Sequence, residues 1–361
     1  MNTYHVIGLM SGTSLDGVDL AYCSFTLDKG NWIYKILNTI TVEYTPDWIL
    51  RLTSLPHASA LDFVAADHAY GTYLGTLVQR FVQENNLTPE FISSHGHTIF
   101  HQPAQHISWQ LGHGAYIAAA AGLPVVSDFR TLDIALGGQG APLVPIGDQL
   151  LFKDFDFCLN LGGIANISFQ HQNRRIAYDI SACNMLLNTL ANELNLPYDK
   201  NGDLARSGTL NQQLFLELNE PNYFKTNFPK SLGKEWVDEN SLKSLQASEV
   251  SIPDKLHTAC RHIAFQISEA VKTVGKTVPK PKMLITGGGA FNTFLIELLQ
   301  NYLDETCEIV VPEPEVVSFK EALIFAFLGV LRWRNEVNCL SSVTGASKDN
   351  AGGSVFVPPL P

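Results

Sequence analysis

Short apolar runs and longer helix-period stripes alternate along the chain. Runs rich in β-branched and aromatic residues predict strands at Tyr4–Leu9 and Val18–Phe25, on either side of the turn MSGTSLDG. The same order of run, glycine turn and run returns at Asp156–Leu161 and Ile164–Phe169. Two such hairpins, one early in each half, indicate a duplicated architecture.

Apolar stripes with a period near 3.6 residues predict the helices. The stripes over Leu61–Val82 and Leu256–Val274 each place apolar side chains on one face. A short apolar strand at Met283–Ile285 is followed by a glycine turn and by a predicted helix at Asn292–Leu303, and the last long helix is predicted at Lys320–Arg334. Strands alternating with helices predict an α/β fold with mixed sheets.

The length of the chain predicts more than one domain. Its 361 residues exceed what one ordinary hydrophobic core organises. The glycine-dense stretch Leu136–Pro145 comes where the first half ends. We therefore predict one domain over residues 1–135, joined by the C-terminal end at about residues 350–361, and a second domain over residues 136–349.

The charge balance narrows the class of partner. There are 24 Lys and Arg against 35 Asp and Glu, a formal net charge of −11, which repels a nucleic-acid backbone. The apolar stretches Ile117–Val126 and Ala322–Leu331 are about half the length that spans a bilayer. The six cysteines are scattered without a CxxC pair, which favours a reducing compartment. We expect a cytoplasmic protein with no nucleic-acid or membrane partner and no secretory signal.

Three glycine-rich turns follow predicted strands, at Met10–Gly17, Gly162–Asn166 and Gly287–Asn292. Glycine lets backbone N–H groups approach phosphate oxygens without a side chain in the way. None of the three turns is a GxxxxGK[ST] loop or a GxGxxG fingerprint, so neither a P-loop nor a Rossmann site is favoured. Each turn alone is typical of a tight connection, but three in this order favour a nucleotide site.

Longer motifs make the resemblance specific. The chain resembles the anhydro-N-acetylmuramic acid kinase family, within the actin/hexokinase-like superfamily, in seven segments in the family's order: GLMSGTSLDGVD, SHGHT, VVSDFR, LGGQGAPLVP, LNLGGIANIS, GGGAFN and SVTGAS. This resemblance implies duplicated ribonuclease H-like domains, each with a mixed five-stranded sheet, around an interdomain cleft that holds ATP. It also implies a homodimer.

The resemblance assigns the three turns to ATP. The residues that it implies for nucleotide binding are Ser11, Gly12, Thr13, Ser14, Asp16, Gly162, Gly163, Ile164, Asn166, Gly287, Gly288, Gly289 and Asn292. Phosphoryl transfer needs alignment and charge neutralisation by Mg²⁺. Asp16 and Asp19 are the candidate metal ligands, directly or through water, although either is equally typical of an ordinary turn carboxylate.

The implied reaction joins hydrolysis of the sugar's 1,6-anhydro bridge to phosphorylation of the released 6-oxygen, giving N-acetylmuramic acid 6-phosphate and ADP. Such a reaction needs a carboxylate that takes the proton of the attacking water. By resemblance this base is Asp179. The alternative is that Asp179 caps a helix over Met185–Glu193, since Asp is a favoured N-cap.

Four residues are implied in binding the sugar, Thr98, Arg130, Asn184 and Glu321. Arg130 would fork onto a carboxylate, or it pairs internally with Asp128 or Asp133. Glu321 would contact the sugar, or it opens the last helix and complements the helix dipole.

The chain departs from the family beside these sugar-binding residues. The family usually reads DTGPGN where this chain reads DISACN, Asp179–Asn184. Ala182 and Cys183 stand where the family has proline and glycine, so we expect the backbone there to approach a ligand less closely.

Two other classes of function stay open from the residues alone. His95, His97 and His101 form a cluster that would ligate a metal in a hydrolase, although no cysteine accompanies it. A non-catalytic, actin-like nucleotide-binding scaffold would keep the glycine turns without needing Asp179, Thr98 and Arg130 together.

Overall fold

The chain divides into two compact units, each with its own sheet. The computed structural model describes residues 2–12, 14–274 and 279–358. Unit 1 comprises Met1–Leu151 and Phe319–Pro361, and unit 2 comprises Phe152–Ser318.

Unit 1 is organised around a seven-stranded sheet. Its strands lie in the order β12-β6-β4-β1-β2-β3, and β5 pairs with the far end of β4. The strands β6, β4 and β1 run parallel, whereas β1, β2 and β3 form an antiparallel meander. The strand bounds are β1 Asn2–Ser11, β2 Gly17–Asp28, β3 Asn31–Glu43, β4 Phe91–Gln102, β5 Ile107–Leu111, β6 Val125–Ser127 and β12 Ser354–Phe356.

Unit 2 is organised around a five-stranded mixed sheet in the order β11-β10-β7-β8-β9. Its bounds are β7 Phe157–Leu161, β8 Ile164–His171, β9 Arg174–Ala182, β10 Lys282–Thr286 and β11 Glu308–Val310. As in unit 1, a three-strand antiparallel meander is followed by strands that add in parallel beside its first member. The repeated topology confirms the predicted duplicated α/β fold, and the predicted five strands are extended in unit 1 by β5 and β12.

The helices of unit 1 begin where polar side chains satisfy free backbone N–H groups. Thr45 accepts from the N–H of Trp48 at the start of the first helix, and Ser59 accepts from the N–H of Asp62 at the start of the second. The bounds are α1 Pro46–Ser54, α2 Ala60–Asn85, α3 Gly114–Ala121, α4 Thr131–Ala135, α5 Val144–Leu151 and α14 Ser341–Thr344, with most of α13 Pro314–Trp333.

The helices of unit 2 surround a core in which the central helix is almost fully buried on one face. Its Leu256, Ile263 and Ile267 have no exposed surface, as the predicted stripe requires. The bounds are α6 Asn184–Asn192, α7 Asp203–Ser207, α8 Gln212–Asn219, α9 Lys234–Val237, α10 Lys243–Ala247, α11 Ile252–Val274 and α12 Thr293–Leu303. Within the described residues, no helix is both long enough and apolar enough to cross a bilayer.

Two elements differ from the sequence-based expectation. No strand was predicted over the SHGHT segment, but it lies inside β4, which continues to Gln102 because β5 pairs with its second half. The last long helix begins at Pro314 and not at Lys320, so Glu321 lies in its interior. The acidic residue in the first turn is Glu315, and the helix-dipole role considered for Glu321 is therefore wrong.

A buried carboxylate joins three distant segments of unit 1. Asp133, on α4, has no exposed surface, and its Oδ1 accepts from Thr344 Oγ1 at 2.8 Å, Asn350 Nδ2 at 3.0 Å and Cys339 Sγ at 3.1 Å. Its Oδ2 accepts from the backbone N–H of Gly140 at 2.8 Å. The glycine-dense LGGQGAPLVP segment and the SVTGAS segment therefore share one polar centre.

We expect Asp133→Asn to destabilise the protein by about 1–3 kcal/mol, since the new amide places a donor against the N–H of Gly140 or the donors around Oδ1. Urea unfolding followed by circular dichroism measures the change. Asp128→Asn is the matched control, because Asp128 is exposed and, among the described residues, its side chain bonds only Thr131, so its effect should stay within about 0.5 kcal/mol. Equal losses in both variants would contradict the role of Asp133.

Candidate active site

The first glycine turn follows strand β1, and the last residue of that strand belongs to a buried network of polar side chains. Ser11 ends β1, and its Oγ lies 2.5 Å from Tyr44 Oη and 2.8 Å from His97 Nδ1. Tyr44 Oη in turn lies 2.5 Å from Tyr70 Oη. Because these buried partners occupy the Ser11 hydroxyl, the group that Ser11 offers to a ligand is its backbone. Gly12, Ser14 and Asp16 lie in the turn itself, and Thr13 lies outside the described residues.

The pKa values of two carboxyls of unit 1, those of Asp19 and Glu321, are raised. Burial raises the pKa of Asp19, and the nearby Asp16 adds to this effect, while a hydrogen bond from Thr41 Oγ1 at 2.6 Å opposes it. The pKa of Glu321 is also raised by the dense protein around it, although its side chain keeps access to solvent. The positive charges of Lys320 and Arg130 oppose that shift, and the charge of Asp19 reinforces it.

Arg130 is held by neutral partners. Its Nη1 donates to the carbonyl of Gly140 at 2.6 Å, and its Nε and Nη2 lie 3.3 and 2.8 Å from His95 Nε2. Of the ion pairs found within the described part of the chain, none joins Arg130 to Asp128 or Asp133, so the internal pairing considered from the sequence is wrong. Burial lowers the pKa of the Arg130 guanidinium to about 10, with Glu321 opposing, so the group stays charged at neutral pH.

The histidines of the cluster contact other residues of the same chain. Besides Arg130 at Nε2, His95 has the carbonyl of Gly96 2.8 Å from Nδ1, and burial lowers its pKa well below the usual value. Burial also lowers the pKa of His97 to about 4. Within residues 2–12, 14–274 and 279–358, no group of three His, Cys, Asp or Glu side chains is placed to hold a metal ion. The geometry therefore gives the His95, His97 and His101 metal site no support.

Thr98 lies on β4 and is partly buried. Its Oγ1 accepts from Gln110 Nε2 at 3.4 Å, which leaves most of the hydrogen-bonding capacity of the hydroxyl unused by this contact. Thr98, Arg130 and Glu321 all belong to unit 1.

The second glycine turn connects β7 to β8 in unit 2. The carbonyl of Gly162 accepts from the N–H of Asn184 at 3.1 Å, and that of Gly163 accepts from the N–H of Cys183 at 2.8 Å. Asn184 Nδ2 also donates to the carbonyl of Leu161 at 2.9 Å. These bonds hold the DISACN segment against the turn. Its divergent Ala182 and Cys183 are buried in the core of unit 2.

Asp179 lies on β9, where it pairs in register with Asn166 of the neighbouring strand. Its Oδ2 accepts from the N–H of Leu232 at 2.9 Å, and among the described residues nothing donates to Oδ1. Burial raises the pKa of the Asp179 carboxyl, with the bond from Leu232 opposing. Helix α6 begins at Asn184 after Cys183, so the helix-capping role considered for Asp179 is wrong.

The third glycine turn borders a cavity of about 400 Å³ within unit 2. Gly287 has φ +81°, and a Cβ there would lie 2.4 Å from Asn160 Oδ1, so this position requires glycine. The turn ends at Asn292, whose Oδ1 accepts from the N–H of Leu295 and so begins α12. The predicted residues that line the cavity are Asn184, Gly288, Gly289 and Asn292.

Sequence reasoning missed part of this cavity. Tyr198 and Lys200 also line it, and they come from a segment between α6 and α7 that carries no recognisable motif. Lys200 supplies a positive charge to this cavity, and the three glycine turns themselves contain no Lys or Arg. The only signal in the sequence is a lysine in a polar segment, which is typical of any exposed loop.

Comparison with known proteins gives a consistent result. The sequence profile described as Anhydro-N-acetylmuramic acid kinase matches residues 4–358. Proteins named anhydro-N-acetylmuramic acid kinase are similar along nearly their whole length: that of Hydrogenovibrio crunogenus is 34% identical over 98% of both chains, and that of Francisella tularensis subsp. novicida is 35% identical over 95% of this chain and 96% of its own.

Solved structures are more distant. The activator of the 2-hydroxyisocaproyl-CoA dehydratase from Clostridium difficile, with bound ADPNP, is 13% identical with a TM-score of 0.45 over 91% of this chain and 97% of its own. A ROK family glucokinase from Streptomyces griseus, with glucose and AMPPNP, is 12% identical with a TM-score of 0.41 over 90% and 98%. These structural similarities are too weak to support an assignment of function. From the profile match and the full-length relatives, the chain belongs to the anhydro-N-acetylmuramic acid kinase family.

Proposed function

We propose that the protein is an ATP-dependent kinase that hydrolyses the 1,6-anhydro bridge of 1,6-anhydro-N-acetylmuramic acid and phosphorylates its 6-oxygen. The products are N-acetylmuramic acid 6-phosphate and ADP. Family membership supports this assignment, since the relatives bear the name of that kinase. The observation that carries the chemistry is Asp179, a carboxylate with one anchored oxygen, one open oxygen and a raised pKa.

Asp179 is the proposed general base. Water attacks the anomeric carbon and its proton passes to the Asp179 carboxylate, while the bond from that carbon to the 6-oxygen breaks. The released 6-oxygen then bonds to the γ-phosphorus of ATP, and the bond from this phosphorus to the ADP oxygen breaks. The bond from Leu232 to Oδ2 fixes the carboxylate, so that Oδ1 is the proposed proton acceptor.

ATP binding is proposed for the glycine turns. In unit 2, the cavity beside Gly288 and Gly289 has the size of a small-molecule site and is the proposed seat of the adenosine. Lys200 lines this cavity, and we propose that it and the backbone N–H groups of Gly162 and Gly163 donate to phosphate oxygens. In unit 1, Gly12, Ser14 and Asp16 are proposed to contribute further backbone groups.

Magnesium suits the carboxylates beside the first turn. Mg²⁺ binds through one or two carboxylates, waters and substrate phosphates, so it does not need a cage of three protein ligands. Asp16 and Asp19 are close enough for the charge of one to raise the pKa of the other, an arrangement that a cation relieves. We propose that they hold Mg²⁺, which would neutralise phosphate charge.

The sugar is proposed to bind through Arg130, Thr98, Asn184 and Glu321. Arg130 carries five N–H groups, of which three are used by Gly140 and His95, so two remain for the substrate carboxylate. We further propose that the protein acts in the cytoplasm, in the recycling of cell-wall amino sugars, and that it is a homodimer.

The function is tested by incubating the protein with Mg-ATP and 1,6-anhydro-N-acetylmuramic acid and analysing the sugar by mass spectrometry. The expected product is heavier than the substrate by one phosphoryl group and one water. A product with phosphate but without water would assign a simple kinase, and binding of ATP with no change in the sugar would favour the scaffold.

Asp179→Asn should lower kcat roughly 10²–10⁴-fold and leave the affinity for ATP near that of the wild type, because the amide still accepts from Leu232 but takes no proton. Because burial raises the pKa of the Asp179 carboxyl above its ordinary value, wild-type kcat should fall as the pH drops through that raised pKa. Steady-state kinetics against pH measures both effects. Asp238→Asn, which breaks an exposed pair with Lys234, is the control with unchanged turnover. Wild-type kcat in Asp179→Asn would remove this residue from the mechanism.

Gly288→Val should raise the KM for ATP roughly tenfold without lowering the melting temperature, since crowding a packed site costs about 1–3 kcal/mol. Gly288 borders the cavity, and the nearest atom to an added Cβ is Asn184 Nδ2 at 3.6 Å. Gly287→Ala is the matched comparison and should instead destabilise the fold, because φ there is +81°. An unchanged KM in Gly288→Val would place the nucleotide elsewhere.

A further inference from the structure

A segment of unit 2 without a recognisable motif covers the strand that carries Asp179. We call residues 221–232 the strap, and they connect α8 to α9. Asp179 lies on β9, which is the edge strand of the five-stranded sheet. Its N–H donates to the carbonyl of Lys230 at 3.3 Å, so the strap provides a backbone partner at this edge.

Three hydrogen bonds join Asp179 to the strap in a closed ring. The carbonyl of Asp179 accepts from Tyr223 Oη at 2.5 Å, and the carbonyl of Tyr223 accepts from Lys230 Nζ at 3.0 Å. The carbonyl of Lys230 accepts from the N–H of Asp179, which closes the ring. Because each of the three residues bonds to the other two, a shift of any one of them breaks a hydrogen bond.

Aromatic contacts hold the strap in the same place. Lys230 Nζ lies 4.6 Å from the ring centroid of Tyr223 and 5.7 Å from that of Tyr178, within range of cation–π attraction. Phe228 of the strap stacks on Tyr178 of β9, with the ring centroids 5.6 Å apart. The ring of Tyr223 also packs against Trp236 of α9, at 5.2 Å between centroids. The strap is therefore fixed to both β9 and α9.

The strap ends at the group that anchors the carboxylate. Leu232, two residues after Lys230, supplies the N–H that donates to Asp179 Oδ2 at 2.9 Å. A hydrogen bond to the ionised form of a carboxyl lowers its pKa, so this bond opposes the rise in the pKa of Asp179 that burial causes. The bond also determines which oxygen stays open. Both the pKa and the orientation of a carboxylate decide how well it takes a proton from water.

We propose that Tyr223 and Lys230 are positioning residues for Asp179, since their side chains close the ring that places the N–H of Leu232 against the carboxylate. This inference rests on the proposed role of Asp179 as the base and adds two residues that no sequence motif identifies. Burial and the charge of Asp179 raise the pKa of Tyr223, so its hydroxyl keeps its proton and remains a donor at neutral pH.

The first test measures the Asp179 carboxyl directly, without turnover. Isotope-labelled aspartate carboxyl carbons are followed by NMR against pH in the full chain, and the signal of Asp179 is the one missing from Asp179→Asn. Tyr223→Phe changes no charge and keeps the aromatic ring, but it opens the ring of hydrogen bonds. The pKa of Asp179 should therefore rise in this variant, because the bond from Leu232 is weakened.

The titratable groups packed around this carboxyl are Tyr178, Tyr223 and Lys230. Their ordinary pKa values are about 10, so the titration in the acid range belongs to Asp179. Tyr302→Phe is the matched control in the same unit. It removes a tyrosine hydroxyl from a ring that packs on Phe265, outside the strap, and should leave the pKa of Asp179 at the wild-type value.

Turnover supplies the second test. Tyr223→Phe and Lys230→Met should each lower kcat roughly tenfold with the KM for ATP unchanged, because a displaced base slows only the chemical step. Lys230→Arg should keep most of the wild-type kcat, since a guanidinium donates to the same carbonyl and lies against the same rings.

A strap that only stabilises the fold would lower the melting temperature of these variants without changing kcat or the pKa of Asp179. The inference is overturned if Tyr223→Phe leaves that pKa unchanged, or if Tyr223→Phe and Lys230→Met both keep the wild-type kcat. If the wild type makes no phosphorylated sugar, the proposed function fails, while the carboxyl titration still decides whether the strap positions Asp179.

Discussion

The carboxylate of Asp133 must find its hydrogen bonds inside unit 1, because burial removes it from water. Four donors meet this requirement, the N–H of Gly140 and three side chains between residues 339 and 350. The carbonyl of the same Gly140 accepts from Arg130, and Arg130 in turn lies against His95. One buried charge therefore sets the position of a second charged group, and the loop between them has little freedom to move either.

In unit 2, contacts with backbone atoms likewise fix the positions of the glycine turns. The side chain and backbone of Asn184 bond the carbonyls on both sides of the step from β7 into its turn. The backbone at Gly287 approaches Asn160 and Leu161 too closely for any other residue. The two glycine turns of this unit are thus fixed against each other by contacts that side chains larger than hydrogen would break.

Much of this architecture could be predicted from the sequence, since it follows from local periodicity. The hairpins β1–β2 and β7–β8 and the helices α2, α11 and α12 lie where apolar spacing placed them. The extension of β4 through SHGHT could not be predicted, because it depends on pairing with β5, whose sequence ISWQL gives no strong signal. The early start of α13 was missed because its first turns, from Pro314, have a mixed pattern.

In the candidate site, too, local motifs could be predicted from the sequence, whereas contacts between distant segments could not. Motifs identified Asp179, Arg130 and the glycine turns, but whether a carboxylate caps a helix or keeps an open oxygen depends on where the next helix begins. The partners of Arg130 likewise depend on how the loop after α4 folds back. Lys200 was not singled out because it lies in a segment without a motif.

The net charge of −11 bears on how an anionic substrate is recognised by this protein. The general field repels anions, so recognition rests on a few local groups whose geometry is fixed before the ligand arrives. Arg130 is the group proposed for this role, since its bonds to Gly140 and His95 hold the guanidinium without neutralising it. His95 can play this part because burial and the charge of Arg130 keep its imidazole neutral. Had Asp133 or Asp128 been its partner, the guanidinium would have been neutralised and less available to a substrate carboxylate.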